Sequence, residues 1–226
     1  MRTAAILPVK SFSRAKQRLA ASVTEQLRAA LAQAMVGDVL SALAATDGIH
    51  ATIVVTRQAD VAARAAADGA VVVHDEHELG QSAAVELGVQ RAVVEGFERV
   101  LCVPGDCPAL DPAELAALLA DREHDVTILP DRHGTGTNGL LLSPPDAIPP
   151  SFGPDSCARH LSLAQQAGVR WQVRQIASVG LDVDTGEDLA ALREALAQAG
   201  DRASGTRAVL GRGAPAGDDA ALGAGA

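Results

Sequence analysis

Short, β-branched apolar runs alternate along the chain with stretches of helical periodicity. The runs are nearly continuous in their apolar character and read TAAILPV, HATIVVT, AVVVHD, RVLCVPG, DVTILPD and VRWQVRQI. Most of them are separated by stretches with apolar residues three and four positions apart, such as Glu25 to Ala45, Gln81 to Glu95 and Pro112 to Arg122. Strands with two apolar faces that alternate with helices pack as a mostly parallel sheet covered on both sides. The sequence therefore predicts a three-layer α/β fold.

The same patterns divide the chain into a domain and a tail. Helix and strand patterns run without a break from Ala4 to about residue 198, which predicts one domain over residues 1–198. Within it, residues 131–154 are rich in Gly and Pro and lose the helical rhythm, which is typical of a loop or hairpin insertion. Residues 199–226 are rich in Gly and Ala without periodicity, and we expect them to be a disordered tail.

The amino-acid composition limits which classes of ligand the protein can bind. The net charge of -9 repels nucleic acid and anionic membranes, so an anionic ligand needs a local cluster of positive charge. Three Phe, one Trp and no Tyr offer few rings for stacking bases, which argues against a single-stranded nucleic acid as partner. No window approaches about 18 consecutive apolar residues, so we expect no membrane span. The odd number of cysteines and the lack of an apolar N-terminal stretch favour a cytoplasmic protein.

The densest positive cluster follows the first predicted strand. The stretch Ile6 to Ala20 contains both lysines of the chain, Lys10 and Lys16, together with Arg14 and Arg18. Such a loop at the carboxyl end of a strand can surround a polyphosphate with ammonium and guanidinium donors. A solvated basic loop before a helix is the alternative. The Walker and dinucleotide glycine patterns are missing from the sequence, which argues against a P-loop and against NAD.

Three acids follow other predicted strands. Asp106 lies in a rigid Pro- and Gly-containing turn, and Asp182 and Asp184 alternate in an extended segment, so that both of their carboxylates point to the same side. Carboxylates at these places can hold Mg²⁺ against nucleotide phosphates. The alternative for Asp106 is a role in the turn or as a helix cap. Thr185 and Asp188 fit a capping box for the last helix, which explains those two residues better than a metal does.

A further anion site is predicted where a helix begins after the Pro-rich insertion. Gly153 and Ser156 lie at the predicted start, where free N–H groups and the helix dipole attract a phosphate or a carboxylate. Arg159 and His160 lie one turn further on and would complete the contact. Simple capping of the helix by Asp155 or Ser156 is a nearly equal alternative.

Five stretches, in this order, resemble a known family. LPVKSFSRAKQRLA, PGDCPAL, DRHGTGTNGL, FGPDSCARHL and GLDVDTGEDL are similar to motifs of the guanylyltransferases of coenzyme F-420 biosynthesis. These are the 2-phospho-L-lactate guanylyltransferases and their bacterial phosphoenolpyruvate-using relatives. The resemblance covers roughly Ala4 to Leu196. It implies a three-layer nucleotidyltransferase fold of the GT-A-like type, akin to that of nucleotide-diphospho-sugar transferases, which uses GTP and Mg²⁺.

The resemblance also implies roles for individual residues. Those expected to be catalytic are Lys10, Lys16 and Asp106. Those expected to bind GTP are Lys10, Arg14, Lys16, Gly80, Gln81 and Ser82, with Gln81 standing where the family has Asn. Those expected to bind the phosphoenolpyruvate-like acceptor are Thr137, Gly153 and Ser156. Those expected to hold the metal are Asp106, Asp182 and Asp184.

The implied reaction transfers GMP from GTP to phosphoenolpyruvate and gives enolpyruvoyl-2-diphospho-5'-guanosine and pyrophosphate. The acceptor's phosphate oxygen would attack the α-phosphorus in line, and the lysines would meet the charge on the departing pyrophosphate. 2-Phospho-L-lactate and 3-phospho-D-glycerate stay open as acceptors because all three share a carboxylate. A nucleotide-sugar-dependent glycosyltransferase is a more distant alternative with the same fold. The expected partners are GTP and a small phosphorylated carboxylic acid, without nucleic acid or membrane, and a homo-oligomer is possible.

Overall fold

The computed structural model describes residues 1–11, 19 and 24–212. Within these residues, seven strands form one sheet: β1 (Thr3–Val9), β2 (Ala51–Thr56), β3 (Val71–His74), β4 (Arg99–Cys102), β5 (Val126–Pro130), β6 (Thr137–Leu142) and β7 (Trp171–Val173). Their order across the sheet is β3-β2-β1-β4-β6-β5-β7. Four of the neighbouring pairs are parallel, and β6 runs antiparallel to both β4 and β5.

Eight helices accompany the strands in the described part of the chain: α1 (Glu25–Ala44), α2 (Ala59–Ala67), α3 (Gln81–Val94), α4 (Pro112–Leu119), α5 (Ser156–Ala167), α6 (Ala177–Gly180), α7 (Gly186–Gln198) and α8 (Ser204–Arg212). The helices predicted from periodicity are confirmed as α1, α3 and α4. Thr24 caps α1 by accepting a hydrogen bond from the N–H of Leu27, and Asp111 caps α4 just before Pro112.

The sheet separates two apolar clusters. Neighbouring residues of β1 alternate between them, as the pleat of a strand requires. Leu7 lies in the cluster that includes Val39 of α1 and Leu115 of α4. Ile6 lies in the cluster on the other face, which includes Val85 of α3 and the residues of α5 that face the sheet. With helices covering both faces of a mostly parallel sheet, the predicted three-layer α/β fold is confirmed.

Helix α3 packs very closely on β1. A Cβ added at Gly88 would lie 2.5 Å from Cγ2 of Ile6, so a larger residue here would push the helix off the sheet. This contact fixes how α3 lies over the centre of the sheet. The start of α3, where the sequence predicts nucleotide contacts, is placed by the same packing.

The Gly- and Pro-rich insertion over residues 131–154 contains a strand and forms a hairpin. Strand β6 inserts between β4 and β5, with Leu141 opposite Leu101 on one side and Thr127 on the other. Because β6 is antiparallel to its neighbours, its first residues lie at the edge where β4 and β5 end. The hairpin therefore adds polar side chains to the edge of the sheet where the loops after the parallel strands also lie.

Part of the tail predicted to be disordered is a helix. Helix α8 packs against α1, and the two carboxylate oxygens of Asp38 accept hydrogen bonds from the N–H groups of Gly205 (3.0 Å) and Thr206 (2.7 Å). Leu210 of α8 lies in a third apolar cluster with Leu31 and Met35 of α1. The prediction of disorder is thus wrong for residues 204–212, and residues 213–226 lie outside the described residues.

Helix α1 has the length and mean hydropathy, 1.3, of a helix that could cross a membrane, which the sequence analysis did not anticipate. In the fold, its apolar residues lie against the sheet and α8, and Leu31, Met35, Val39 and Leu43 are fully buried. This pattern of burial is that of a core helix.

Candidate active site

The carboxyl ends of the parallel strands carry most of the residues predicted to be functional. Lys10 follows β1 directly and is exposed. The N–H of the next residue, Ser11, donates a hydrogen bond to Oε1 of Glu78 (3.2 Å), which ties the loop after β1 to the loop before α3. Arg14 and Lys16 lie outside the described residues. Ligands of open α/β sheets bind in the crevice at this edge, so the predicted residues are in a suitable place.

Helix α3 begins at this edge without a side-chain cap from the described residues. Its first residues are the predicted nucleotide contacts Gln81 and Ser82, preceded by Gly80 with φ of 128°. A residue other than glycine would be strained in that conformation. Ser82 Oγ accepts a hydrogen bond from the N–H of Phe152 (2.8 Å), so the start of α3 is joined to the loop that precedes α5.

The carboxylates of Asp106, Asp182 and Asp184 lie near one another. The N–H of Val183 donates to the carbonyl oxygen of Asp106 (3.1 Å), which places the two loops side by side. Burial raises the pKa of the Asp182 carboxyl, and the negative charges of Asp106 and Asp184 raise it further, although a hydrogen bond from Asn138 opposes the change. A carboxylate whose pKa is raised by neighbouring negative charges is stabilised in its ionised form by a bound cation.

These carboxylates do not form a complete ligand set by themselves. Among the described residues, no group of three His, Cys, Asp or Glu side chains is arranged to hold a metal ion. Such a partial set is the usual one for Mg²⁺ sites, in which one or two carboxylates hold the ion and substrate phosphates and water complete its ligands.

Asp188 and Arg132 order the backbone that carries Asp184. Oδ2 of Asp188 accepts hydrogen bonds from the N–H groups of Asp184 (3.1 Å) and Thr185 (2.8 Å), and Thr185 Oγ1 accepts one from the N–H of Asp188. The predicted capping box at the start of α7 is thus confirmed. Burial would raise the pKa of Asp188, but the hydrogen bonds from Thr185 and Asp184 and the charge of Arg132, 2.7 Å away, lower it.

Asn138 is a residue of this group that the sequence analysis missed. Its Nδ2 donates hydrogen bonds to Oδ1 of Asp182 (3.0 Å) and to the carbonyl oxygen of Val179 (3.1 Å). The sequence contains only a weak signal for this role of Asn138, namely a polar residue at the start of the strand TNGLLL, which is apolar after its second residue. The structure shows that this residue is buried.

The predicted acceptor residue Thr137 is joined to a buried histidine. Its Oγ1 lies 3.0 Å from Nδ1 of His160, whose Nε2 accepts a hydrogen bond from the N–H of Ser151 (2.9 Å). Because an amide can only donate, Nε2 is unprotonated and the ring hydrogen is on Nδ1. Burial lowers the pKa of His160 to about 4, and the charge of Arg159 acts in the same direction. His160 is therefore neutral and supports Thr137.

No side-chain hydrogen bond from the N-cap residue caps the start of α5. Its N-cap residue, Asp155, has φ of 55° and makes no side-chain capping bond, so the capping alternative for Asp155 is wrong. Ser156 Oγ is buried and has no hydrogen-bond partner among the described residues. A buried hydroxyl without a partner, at a helix N-terminus, is suited to donate to a bound anion.

The side chain of Arg159 reaches back to the loop that leads into α5, close to the helix start. Its guanidinium donates to Ser151 Oγ (3.0 Å) and to the carbonyl oxygens of Ser151 (3.0 Å), Phe152 (3.1 Å) and Pro154. His160 likewise packs edge-on against the ring of Phe152. Both residues hold the loop before α5 in place.

Comparison with known proteins decides the family. The family model described as "Guanylyl transferase CofC like" matches residues 3–199. The chain belongs to the CofC family. This confirms the resemblance seen in the five motifs and, with it, the expected enzyme class, a guanylyltransferase.

Two CofC-like relatives differ in the acceptor that their names give. A phosphoenolpyruvate guanylyltransferase of Conexibacter woesei is 52% identical over 217 residues, which are 93% of this chain and 96% of the relative. A 3-phospho-D-glycerate guanylyltransferase of Phenylobacterium zucineum is 36% identical over 188 residues, which are 81% of this chain and 86% of the relative. The chain thus spans nearly the full length of both relatives.

Solved structures share the fold of this CofC-family chain at low sequence identity. A proposed nucleotide-diphospho-sugar transferase from Desulfovibrio desulfuricans has a TM-score of 0.76 at 20% identity and covers 94% of this chain and 95% of its own. A nucleotidyl transferase from Methanothermobacter has a TM-score of 0.61 at 22% identity, with coverages of 87% and 98%. Rv0371c of Mycobacterium tuberculosis in complex with manganese has a TM-score of 0.55 at 22% identity, with coverages of 86% and 99%. The predicted nucleotidyltransferase fold is confirmed.

Proposed function

We propose that the protein transfers GMP from GTP to phosphoenolpyruvate, and so forms enolpyruvoyl-2-diphospho-5'-guanosine and pyrophosphate in coenzyme F-420 biosynthesis. The observation that carries the proposal is the meeting of two unlike groups at one sheet edge. The start of α5, with the buried Ser156 hydroxyl, suits an anion, and the carboxylates of Asp106, Asp182 and Asp184 suit a cation. The name and the 52% identity of the Conexibacter woesei relative support phosphoenolpyruvate as the acceptor.

The acceptor would bind between β6 and the start of α5. Gly153 has φ of 111° and gives the loop its turn. The N–H groups of Ser156 and Cys157 already donate to the carbonyl oxygens of Gly153 and Thr135, so the positive end of the α5 dipole would attract the acceptor's phosphate or carboxylate. Ser156 would donate its hydroxyl hydrogen. Since Nδ1 of His160 donates to Thr137 Oγ1, the hydrogen of the Thr137 hydroxyl is left for the acceptor.

GTP would lie across the carboxyl ends of β1 and β3. Gly80, Gln81 and Ser82 at the start of α3 would contact the nucleoside, and Lys10, Arg14 and Lys16 the triphosphate. A phosphate oxygen of the acceptor, already an anion, attacks the α-phosphorus, and the bond to pyrophosphate breaks on the opposite side. Little proton transfer is needed, so positioning and electrostatic stabilisation supply most of the rate.

Mg²⁺ would bind among the carboxylates of Asp106, Asp182 and Asp184, with one or two of them holding the ion at a time and the substrate phosphates completing its ligands. These carboxylates fit the ion because they are hard oxygen ligands that lie near one another and repel one another. When bound, the cation neutralises negative charge on the phosphates. The manganese complex of Rv0371c, which shares the fold, supports the use of a divalent cation. We also propose that the protein works in the cytoplasm, in keeping with the absence of a disulfide among its three cysteines, all of which lie in the described part of the chain.

The proposal is tested by incubating the protein with GTP, Mg²⁺ and each of three acceptors: phosphoenolpyruvate, 2-phospho-L-lactate and 3-phospho-D-glycerate. Two quantities are measured: the rate of pyrophosphate release and the mass of the guanylylated product. We expect the highest kcat/KM and the corresponding guanylylated mass with phosphoenolpyruvate. The name of the Phenylobacterium zucineum relative favours 3-phospho-D-glycerate as second candidate. No pyrophosphate from any of the three would refute the transferase reaction.

A further inference from the structure

Asn138 stands at a break in the regular pairing of β6 with β5. Leu129 of β5 lies opposite Gly139, but the next residue, Pro130, lies opposite Thr137. Asn138 is therefore the additional residue of a β-bulge. Pro130 has no N–H to continue the ladder, which favours a bulge at this point. Bulges of this kind redirect a side chain, and they are frequent beside active sites.

The bulge changes the face to which Asn138 points. Leu140 and Leu142 lie in the apolar cluster on the side of α3 and α5. Strict alternation along the strand would put Asn138 on that same side. Its observed partners, Val179 and Asp182, lie on the other side, where Val179 belongs to the cluster of α1 and α4. The extra residue thus turns the amide toward the acidic loop.

The contacts of Asn138 require an amide. Both partners, the carbonyl oxygen of Val179 and Oδ1 of Asp182, are hydrogen-bond acceptors, so the NH₂ group faces them and uses one hydrogen for each. A hydroxyl has a single hydrogen to donate, and a carboxylate has none. Asn138 itself is 7% exposed, so its amide lies in a part of the protein that water hardly reaches.

We propose that Asn138 is a positioning residue for the metal site: it holds the carboxylate of Asp182 in the orientation that receives the divalent cation. Val179 anchors the amide to α6, and the hydrogen bond to Oδ1 leaves Oδ2 of Asp182 to face the cation. The role rests on the proposed function in one respect, namely that Asp182 is a metal ligand. Residues that orient metal ligands change metal affinity by about 10-fold or more when they are replaced.

The test measures Mn²⁺ binding by the loss of the free-ion electron paramagnetic resonance signal, with GTP present. We expect Asn138→Leu, which keeps the branching at Cγ and removes both hydrogen bonds, to bind Mn²⁺ about 10-fold more weakly than the wild type. Asn138→Thr, with one donor, should fall between the two. The matched control is Thr127→Val on β5. It removes a buried hydroxyl that accepts a hydrogen bond from the side-chain amide of Gln172 on β7. It should lose stability without losing Mn²⁺ affinity.

A double-mutant cycle separates positioning from a general loss of structure. If Asn138 acts through Asp182, then Asn138→Leu will have no further effect on Mn²⁺ affinity in an Asp182→Asn background. Independent effects of the two substitutions would overturn the proposal. An Asn138→Leu variant that binds Mn²⁺ as tightly as the wild type would overturn it too. If Asn138→Leu does not fold, the Mn²⁺ affinity of Asn138→Thr is compared with the wild type in its place.

The two proposals fail in different ways. If no acceptor is guanylylated but Mn²⁺ affinity still depends on Asn138, the transferase reaction is refuted and the positioning role stands. If the wild type turns over phosphoenolpyruvate and Asn138→Leu binds Mn²⁺ normally, the positioning role is refuted and the reaction stands. A wild-type protein that binds no Mn²⁺ in the presence of GTP would overturn the role of Asn138 as well.

Discussion

The buried histidine beside the acceptor site should make the stability of the protein depend on pH in a specific range. His160 is fully buried, and its two ring nitrogens are used by Ser151 and Thr137. Its pKa is lowered to about 4 from the usual 6.5, first by burial and then by the charge of Arg159. In the unfolded chain the ring is accessible to water, and it should regain its usual pKa.

The sign of the pH dependence of stability follows from whether the folded or the unfolded state binds more protons. Between pH 6.5 and about 4, the unfolded chain is protonated at this ring while the folded protein is not. The free energy of unfolding therefore includes the full contribution of His160 above pH 6.5 and loses it as the pH falls toward 4. The difference between the two pKa values corresponds to about 3 kcal/mol, lost at no more than about 1.4 kcal/mol per pH unit.

Urea unfolding at intervals from pH 7.5 to 4.5, on the wild type and on His160→Asn, measures this contribution. Asparagine can keep an N–H close to the position of Nδ1 but does not titrate. We expect the variant to be less stable at pH 7.5 and the two stabilities to converge as the pH falls. His77→Asn is the matched control: it removes an exposed ring, so its curve should run parallel to the wild type. Parallel curves for His160→Asn would refute the assignment of a buried neutral ring.

Three further substitutions test separate parts of the molecule. Asp106→Ala should abolish pyrophosphate release while the free energy of unfolding changes by no more than about 1 kcal/mol; gross unfolding would instead favour a structural role in the turn. Ser156→Ala should raise the KM for the acceptor about 10-fold and leave the KM for GTP unchanged, without lowering stability, because the hydroxyl removed is buried without a partner among the described residues. An unchanged acceptor KM would remove Ser156 from the site. Leu210→Asp should lower the free energy of unfolding by about 2–4 kcal/mol, whereas the exposed Val94→Asp should not; equal effects would show that α8 is not part of the core.

The layer arrangement could be predicted because it depends on local periodicity. Strand runs such as TAAILPV are apolar on both faces, and only a sheet covered on both sides buries them. The order of the strands, with β6 between β4 and β5, depends on pairings between residues far apart in the sequence. Helix α8 was missed for the same reason: the cap at its start is supplied by Asp38, more than 160 residues earlier in the chain.

The candidate site was predictable where single residues follow strands or begin helices. Asp106, Asp182 and Ser156 were found in this way, since their position along the chain places them at the sheet edge. The contacts that support them were not predicted. Asn138 is 44 positions from Asp182, and Thr137 is 23 positions from His160. Neither pair has a local pattern, because each is created by the packing of the hairpin against elements that come later in the chain.

The bulge in β6 connects these supporting contacts to each other. Thr137 and Asn138 are consecutive and point to opposite sides, as neighbours in a strand do: Thr137 meets His160 of α5, and Asn138 meets Asp182. The extra residue exchanges the sides that these two residues would otherwise face, without disturbing Leu140 and Leu142, which keep their places in the core. Gly139 is part of the same device, because a Cβ there would lie 2.6 Å from Cδ1 of Leu129. One irregular pairing in an antiparallel strand thus orients a group on the acceptor side and a group on the metal side together, and a slip of register by one residue would disturb both.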